Sequence, residues 1–202
     1  MNNLKIELPS TCLIGEEVIF GENVIVRPNT IISGKCKIGN NVVLGPNSEI
    51  IDSIIGDNSK VCHSLVSESK IGKNVTVGPF AHLRNNVVID DDIRIGNYVE
   101  IKNSKIKNNT KVSHLSYVGD AEIGENVNVG AGVITANYDG KNKNKTIIKD
   151  NSFIGSNSTL IAPITINENS LVAAGSTLNK DVPSSSLAIA RAYQVNKEKK
   201  NK

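Results

Sequence analysis

Arg84 and Lys102 each follow an aliphatic residue, Leu83 and Ile101, at equivalent points of a short repeat. If the repeats stack, the two cations lie about 5 Å apart, a repulsion that a bound anion such as a phosphate reverses. Two splayed and solvated surface cations satisfy the same spacing. His114 stands in a second file, Asn97, His114, Ala131, Ser156 and Ala174, whose other members are small. That file leaves room for a slender ligand beside a side chain that takes up protons near neutrality, although a lone histidine also serves structural roles. Between Thr135 and Ile148 the repeat is broken by ANYDGKNKNKT, a segment carrying Asn137, Tyr138, Lys141, Lys143 and Lys145. It reads either as a functional loop on a rigid scaffold or as a tolerated insertion.

The element that must position these groups is a six-residue beat. From Ile14 onward an aliphatic residue recurs about every sixth position, as in IGEEVI, FGENVI, IGNNVV and LGPNSE. So short a unit cannot fold alone, and its copies must share one continuous core. Two residues before each anchor stands a small or β-branched one: Cys12 before Ile14, Thr30 before Ile32, Cys36 before Ile38, Ser158 before Leu160. Alternate strand residues share a face, so anchor and partner both point inward. Gly, Asn, Asp and Pro follow the anchors, where the chain turns a corner.

Three hexads then make one triangular coil of a parallel β-helix. About 28 anchors between Ile14 and Leu178 predict about nine coils and a prism on the order of 40 Å tall. The beat shortens around Ile50, Ser67, Ile101 and Val118, which predicts tight corners. The expected organisation is an all-β, parallel β-helix domain over 1–182, a loop extruded over 137–146, and a C-terminal segment with a basic tail over 183–202.

Charge narrows the partners. The formal net charge of +3 comes from the tail residues Lys197, Glu198, Lys199, Lys200 and Lys202; without them the chain is balanced. A neutral body argues against a nucleic-acid groove, and the tail reads as a solvated end. Cys12 and Cys36 occupy inward positions and Cys62 follows an anchor, so free thiols in a reducing compartment are expected. MNNLKIELPS lacks an apolar signal core, and no run is long enough to span a bilayer, so a cytoplasmic protein is expected.

The segments VGPFAHLR, GNYVEIKN, SHLSYVGDAEIG, NVGAG, NYDGKNK, IGSNSTLIAP, AAGST and ALAIAR occur in that order. They closely resemble the acetyltransferase domain of the bifunctional N-acetylglucosamine-1-phosphate uridyltransferase/glucosamine-1-phosphate acetyltransferases, within the hexapeptide-repeat acyltransferase superfamily. The resemblance runs from about residue 10 to residue 198. SHLSYVGDAEIG and NYDGKNK discriminate far more than the hexads, which are generic to the superfamily.

The resemblance implies a left-handed coil and acetyl transfer from acetyl-CoA to the amine of glucosamine 1-phosphate. It implies His114 as general base, Glu100 as its orienting or charge-supporting acid, and the Ala131 N–H as oxyanion donor. Arg84, Lys102, Tyr117 and Lys143 match binders of the sugar phosphate, and Asn128 matches a sugar contact near the amine. Asn137, Tyr138, Ser156, Ala174 and Arg191 match contacts to acetyl-CoA. It further implies a homotrimer with sites between subunits and no metal requirement. Asn85 stands where the family commonly has proline, and Asn103 where a second lysine is frequent. The Gly-rich loop of the nucleotidyltransferase half does not precede residue 10, so no uridyl transfer is expected.

Three other readings stay open at this level. Acetylation of a different amino- or nucleotide-sugar uses the same groups. A noncatalytic scaffold keeps the same prism. A zinc site of the γ-class carbonic anhydrase type needs three convergent histidines, and His63, His82 and His114 include no close pair, with His82 expected on a different face from His114.

Overall fold

The computed structural model describes residues 3–198. Strands of two to four residues alternate with corners and return to the same face every third strand, except that before the last, Leu187–Ala188, an isolated bridge at Val182 takes the place of a face C strand. Face A has eleven strands, from Lys5–Ile6 to Leu187–Ala188; face B has ten, from Leu13–Ile14 to Thr177–Leu178; face C has nine, from Ile19–Phe20 to Ile164–Ile166. All neighbouring strands in these sheets pair in parallel, for example His82↔Glu100↔Tyr117 and Lys111↔Asn128. The product is a left-handed parallel β-helix of about ten turns.

It is longer than the nine coils expected, because Lys5–Ile6 pairs with Ile25–Val26 at one end and Leu187–Ala188 with Leu171–Val172 at the other. Face A thus continues past residue 182, the boundary expected for the domain. Residues 189–198 have no regular secondary structure. Lys199, Lys200 and Lys202 of the basic tail lie outside the described residues.

The interior is a column of anchors. Ile32, Ile50, Leu83, Ile101, Ile154 and Leu160 are completely buried, and Cys36 packs among them. Burial pushes the Cys36 thiol up from its ordinary pKa. The small inward positions do more than fill space. Ser53, Ser64, Ser69 and Ser104 are buried, and their hydroxyls donate to carbonyls at the corners two residues earlier, at 2.6–2.8 Å. The same oxygens accept amides one coil on, as Ser64 Oγ does from Ala81 N at 3.1 Å and Ser104 Oγ from Ala121 N at 2.9 Å. Corner backbone groups that face the core are therefore satisfied without water.

Each coil closes through residues with positive φ. Most of those that are not glycine are asparagines, whose short amides tolerate that region and pair along the axis, as in Asn23→Asn41 and Asn126→Asn151, both at 3.2 Å. At the shortened hexads the left-handed residue comes one position earlier, at Asp52, Glu68, Asn103 and Asp120. These tight turns form the corner between faces B and C. The corner between A and B carries bulky left-handed residues instead: His63, Phe80, Tyr98 and Leu115.

Candidate active site

Face B presents the predicted cation stack. Arg84 pairs in register with Lys102 between His82–Arg84 and Glu100–Lys102, so the side chains leave the sheet one strand spacing apart. Arg84 is held by Glu100, whose Oε1 accepts Nη2 at 2.6 Å and Nε at 3.0 Å. Lys102 has no such anion to itself. The charged neighbour that weighs most on it is Lys143, brought over by the extruded loop. The close approach of that ammonium, with desolvation, holds the Lys102 pKa below the usual lysine value; Asp120 opposes the effect and Arg84 reinforces it. Three cations against the two carboxylates of Glu100 and Asp120 leave a net positive charge, which suits an anion with several acceptor oxygens. Alongside lies a cleft of about 300 Å³ that includes Asn103, Asp120, Lys143 and Asn144 in its walls.

The loop's geometry explains why Lys143, and not its neighbours, reaches this point. Asp139 makes an Asx turn: Oδ1 accepts the Lys141 and Asn142 amides at 2.8 and 2.6 Å, and Oδ2 accepts Asn144 Nδ2 at 3.0 Å. These bonds hold the Asp139 carboxyl below the usual carboxylate range. The turn folds the loop back on itself through an antiparallel bridge between Tyr138 and Lys143, and the Asn144 amide donates to Asn137 O at 2.7 Å. Lys145 is drawn off to Glu122 at 2.7 Å, which keeps Glu122 ionised to lower pH than usual.

Tyr117 stands in register with Glu100, one coil further along face B. It leans over Gly119. A Cβ at that glycine would meet Tyr117 Oη at 2.5 Å and Asn137 Nδ2 at 2.8 Å, so the missing side chain is what lets phenol and amide close there. Spacing alone gave no reason to single out Gly119.

The second file runs up the corner between A and B. Asn97 pairs with His114, and backbone bonds step on from Gly132 N to His114 O, Asn157 N to Ala131 O, and Gly175 N to Ser156 O. Arg191 reaches this file from the C-terminal segment and donates to Ala174 O at 2.9 Å. His114 is exposed; its Nδ1 lies 2.6 Å from Asn97 Oδ1. With the amide oxygen as acceptor, Nδ1 carries the hydrogen and Nε2 is left with the lone pair. Ser116 Oγ donates to His114 O at 2.9 Å and to Gly130 O at 3.2 Å, fixing the backbone on both sides of the imidazole's coil.

Glu100 and His114 have different hydrogen-bond partners. The hydrogen bonds of Glu100 go to Arg84 on face B, while the imidazole's partner is Asn97, which sequence reasoning saw in the file but did not assign. Asn128 projects from face A, in register with Lys111 and Phe153, whereas Arg84 and Lys102 project from face B. The repeat spacing does not single out Asp120 either. Among the described residues no cluster of three His, Cys, Asp or Glu side chains is arranged to hold a metal ion.

A three-sided coil of hexads with a cationic cleft, an exposed histidine and one extruded loop is the architecture of a hexapeptide-repeat transferase. The chain matches the bacterial transferase hexapeptide (six repeats) family over residues 17–52, 68–103 and 145–180, more than half its length, and belongs to that family. It is 53% identical over 190 residues to the bifunctional protein GlmU of Carboxydothermus hydrogenoformans, covering 94% of this chain and 43% of that one. To GlmU of Geobacillus sp. it is 52% identical, covering 98% and 43%. The chain thus spans less than half the length of these relatives. Its fold is similar to that of a UDP-N-acetylglucosamine acyltransferase from Arabidopsis, with a TM-score of 0.79 at 18% identity, covering 90% of this chain and 70% of that one.

Proposed function

We propose that this chain transfers the acetyl group of acetyl-CoA to the amine of glucosamine 1-phosphate, giving N-acetylglucosamine 1-phosphate. The observation that carries the proposal is the convergence of Arg84, Lys102 and Lys143 on one point of face B. That arrangement suits a phosphate monoester, and the kinship with GlmU over nearly the whole chain supports the same substrate.

In this reading the phosphate sits among the three cations and Tyr117 flanks the sugar. His114 Nε2 takes a proton from the substrate's amino group, the freed nitrogen attacks the thioester carbonyl, the new N–C bond forms and the C–S bond breaks. Coenzyme A leaves as thiolate and is protonated. The Ala131 N–H, which no hydrogen bond within the described chain uses, faces the developing oxyanion. Asn137, Tyr138, Ser156, Ala174 and Arg191 bind the donor along the prism. Donor chemistry of this kind needs one base and one oxyanion donor, and no metal.

The site is shared between copies in a homotrimer. Asn128 on face A cannot turn to the Lys102 cleft on face B of its own prism, so a site that uses both needs a second chain. The exposed stack of Phe80 on Tyr98, with ring centroids 5.2 Å apart, and Leu115 beside His114 offer apolar surface for such an interface. Three free cysteines, and no helix among the described residues long and apolar enough to cross a membrane, agree with a cytoplasmic setting.

The test mixes purified protein with acetyl-CoA and glucosamine 1-phosphate and follows free thiol, with unphosphorylated glucosamine and His114→Ala as controls. Thiol release that needs both the phosphate and His114, reduced at least about 100-fold in kcat without the imidazole, is the expected result. Release with glucosamine alone, or none from a folded trimer, overturns the proposal.

A further inference from the structure

We propose that Asp120 is a positioning residue that clamps the extruded loop to the cation cleft, so that the donor-binding and phosphate-binding halves of the site keep one register. This rests on the acetyltransferase reading. The residue occupies the left-handed position of a tight corner, with φ of 50°, directly after Gly119. Its groups reach four separate parts of the site. The amide donates to Lys102 O at 3.0 Å, which joins it to the strand bearing the phosphate-site lysine. The carbonyl accepts the amide of Thr146 at 3.2 Å, where the loop returns to face C. Carboxylate Oδ2 accepts Asn137 Nδ2, where the loop departs, and Oδ1 accepts Asn103 Nδ2 at 2.5 Å from the tight corner one coil earlier.

Both ends of the loop are therefore tied to one residue. Lys143 reaches Lys102 only because the loop folds back over this anchor, and Asn137 with Tyr138 sits at the other side of the same anchor. The carboxylate also acts through its charge, since Asp120 is the anion that opposes Lys143 and Arg84 at Lys102. In the absence of an anionic ligand it keeps three cations from driving the loop away. An asparagine here could accept from only one of the two amide donors, since its own NH2 would face the other, and it would remove the charge.

The test compares the full chain with Asp120→Asn, Asn137→Ala and the double variant. Trypsin cleavage after Lys141 and Lys143 reads how often the loop opens. Expected for Asp120→Asn is cleavage about tenfold faster, KM for glucosamine 1-phosphate and for acetyl-CoA raised about tenfold, and kcat changed less than about threefold. Asn137→Ala should also speed cleavage, and the double variant should accelerate it by less than the product of the two single effects, since the two residues share one bond. Wild-type cleavage and KM in Asp120→Asn overturn the clamp. So does a fall in thermal midpoint with both KM values unchanged, which is the mark of a structural role alone. If Asp120→Asn does not fold, Asn137→Ala carries the comparison through its cleavage rate and its KM for glucosamine 1-phosphate, because Asn137 itself contacts the donor in the proposed function. If the unmodified protein releases no thiol, the acetyltransferase reading fails, and the cleavage rates still decide the clamp.

Discussion

Asn97 Oδ1 and His114 Nδ1 are 2.6 Å apart, on adjacent strands of face A. With the amide oxygen as acceptor, this contact favours the tautomer that leaves the lone pair on Nε2. Asn97→Ala should lower kcat about tenfold and leave both KM values near the original, measured by thiol release. Equal kcat in the two proteins would show that the imidazole orients without its partner.

Lys143 sets the proton balance at Lys102, where the proposed function seats the phosphate. Lys143→Met should raise KM for the sugar phosphate about tenfold. It should also return the Lys102 pKa toward the usual lysine value, because Lys143 is the main cause of its depression. A lysine with a lowered folded pKa disfavours the folded state while it is charged, and that cost vanishes as pH rises above the unfolded value. A bound phosphate acts the other way and raises the pKa. Phosphate affinity should therefore fall as pH climbs through the lowered pKa, with proton uptake on binding there. Titration calorimetry in two buffers of different ionisation enthalpy reads that uptake; none over the alkaline range would separate Lys102 from the anion.

Gly119→Ala should displace the far end of the Tyr117 side chain, since that is the first atom a new methyl would meet. The phenol tip can swing aside, but the Asn137 amide, which the methyl would meet at 2.8 Å, is held by Asp120, so stability should fall by about 1–2 kcal/mol. The sugar-phosphate KM should rise, and thermal unfolding beside substrate titration separates the two effects. A large loss of stability with normal KM would mean that the backbone, and not the phenol, takes up the clash.

The loop should loosen in acid. Asp139 has a depressed pKa because it accepts the Asn142 and Lys141 amides and the Asn144 side chain. For a carboxylate with a lowered folded pKa, the contribution is complete above the ordinary Asp value and is lost as pH falls through the lowered one. After correction for intrinsic rates, amide exchange at Lys141 and Asn142 should accelerate only below the ordinary Asp value. Asp139→Ala, which removes the acceptor of both amides, should show fast exchange already at neutral pH.

The sequence reveals the frame more fully than the site, for a physical reason. Hexad anchors such as Leu83 and Ile101 repeat at a spacing set by strand geometry, so the in-register pairing of Arg84 with Lys102 follows from counting. The first strand, Lys5–Ile6, escapes the count because it precedes the first complete hexad. Lys143 is different: its place depends on an Asx turn at Asp139 and a tether at Asp120, contacts with no period. Of the loop lysines that the sequence singles out, Lys145 is consumed by Glu122, which composition cannot foresee. Glu100 was matched to His114 through kinship, and in the single chain its partner is Arg84.

The file of His114, Ala131, Ser156 and Ala174 climbs one strand spacing per member, and Arg191 is docked at its last carbonyl. The separation between the imidazole and the guanidinium is therefore counted in whole coils of about 4.8 Å each, a step set by backbone hydrogen bonding and not by side chains. On the proposed function the prism is a yardstick for its acyl donor. Removing one complete coil from the middle of that file would leave a sound solenoid whose scale is wrong by one graduation.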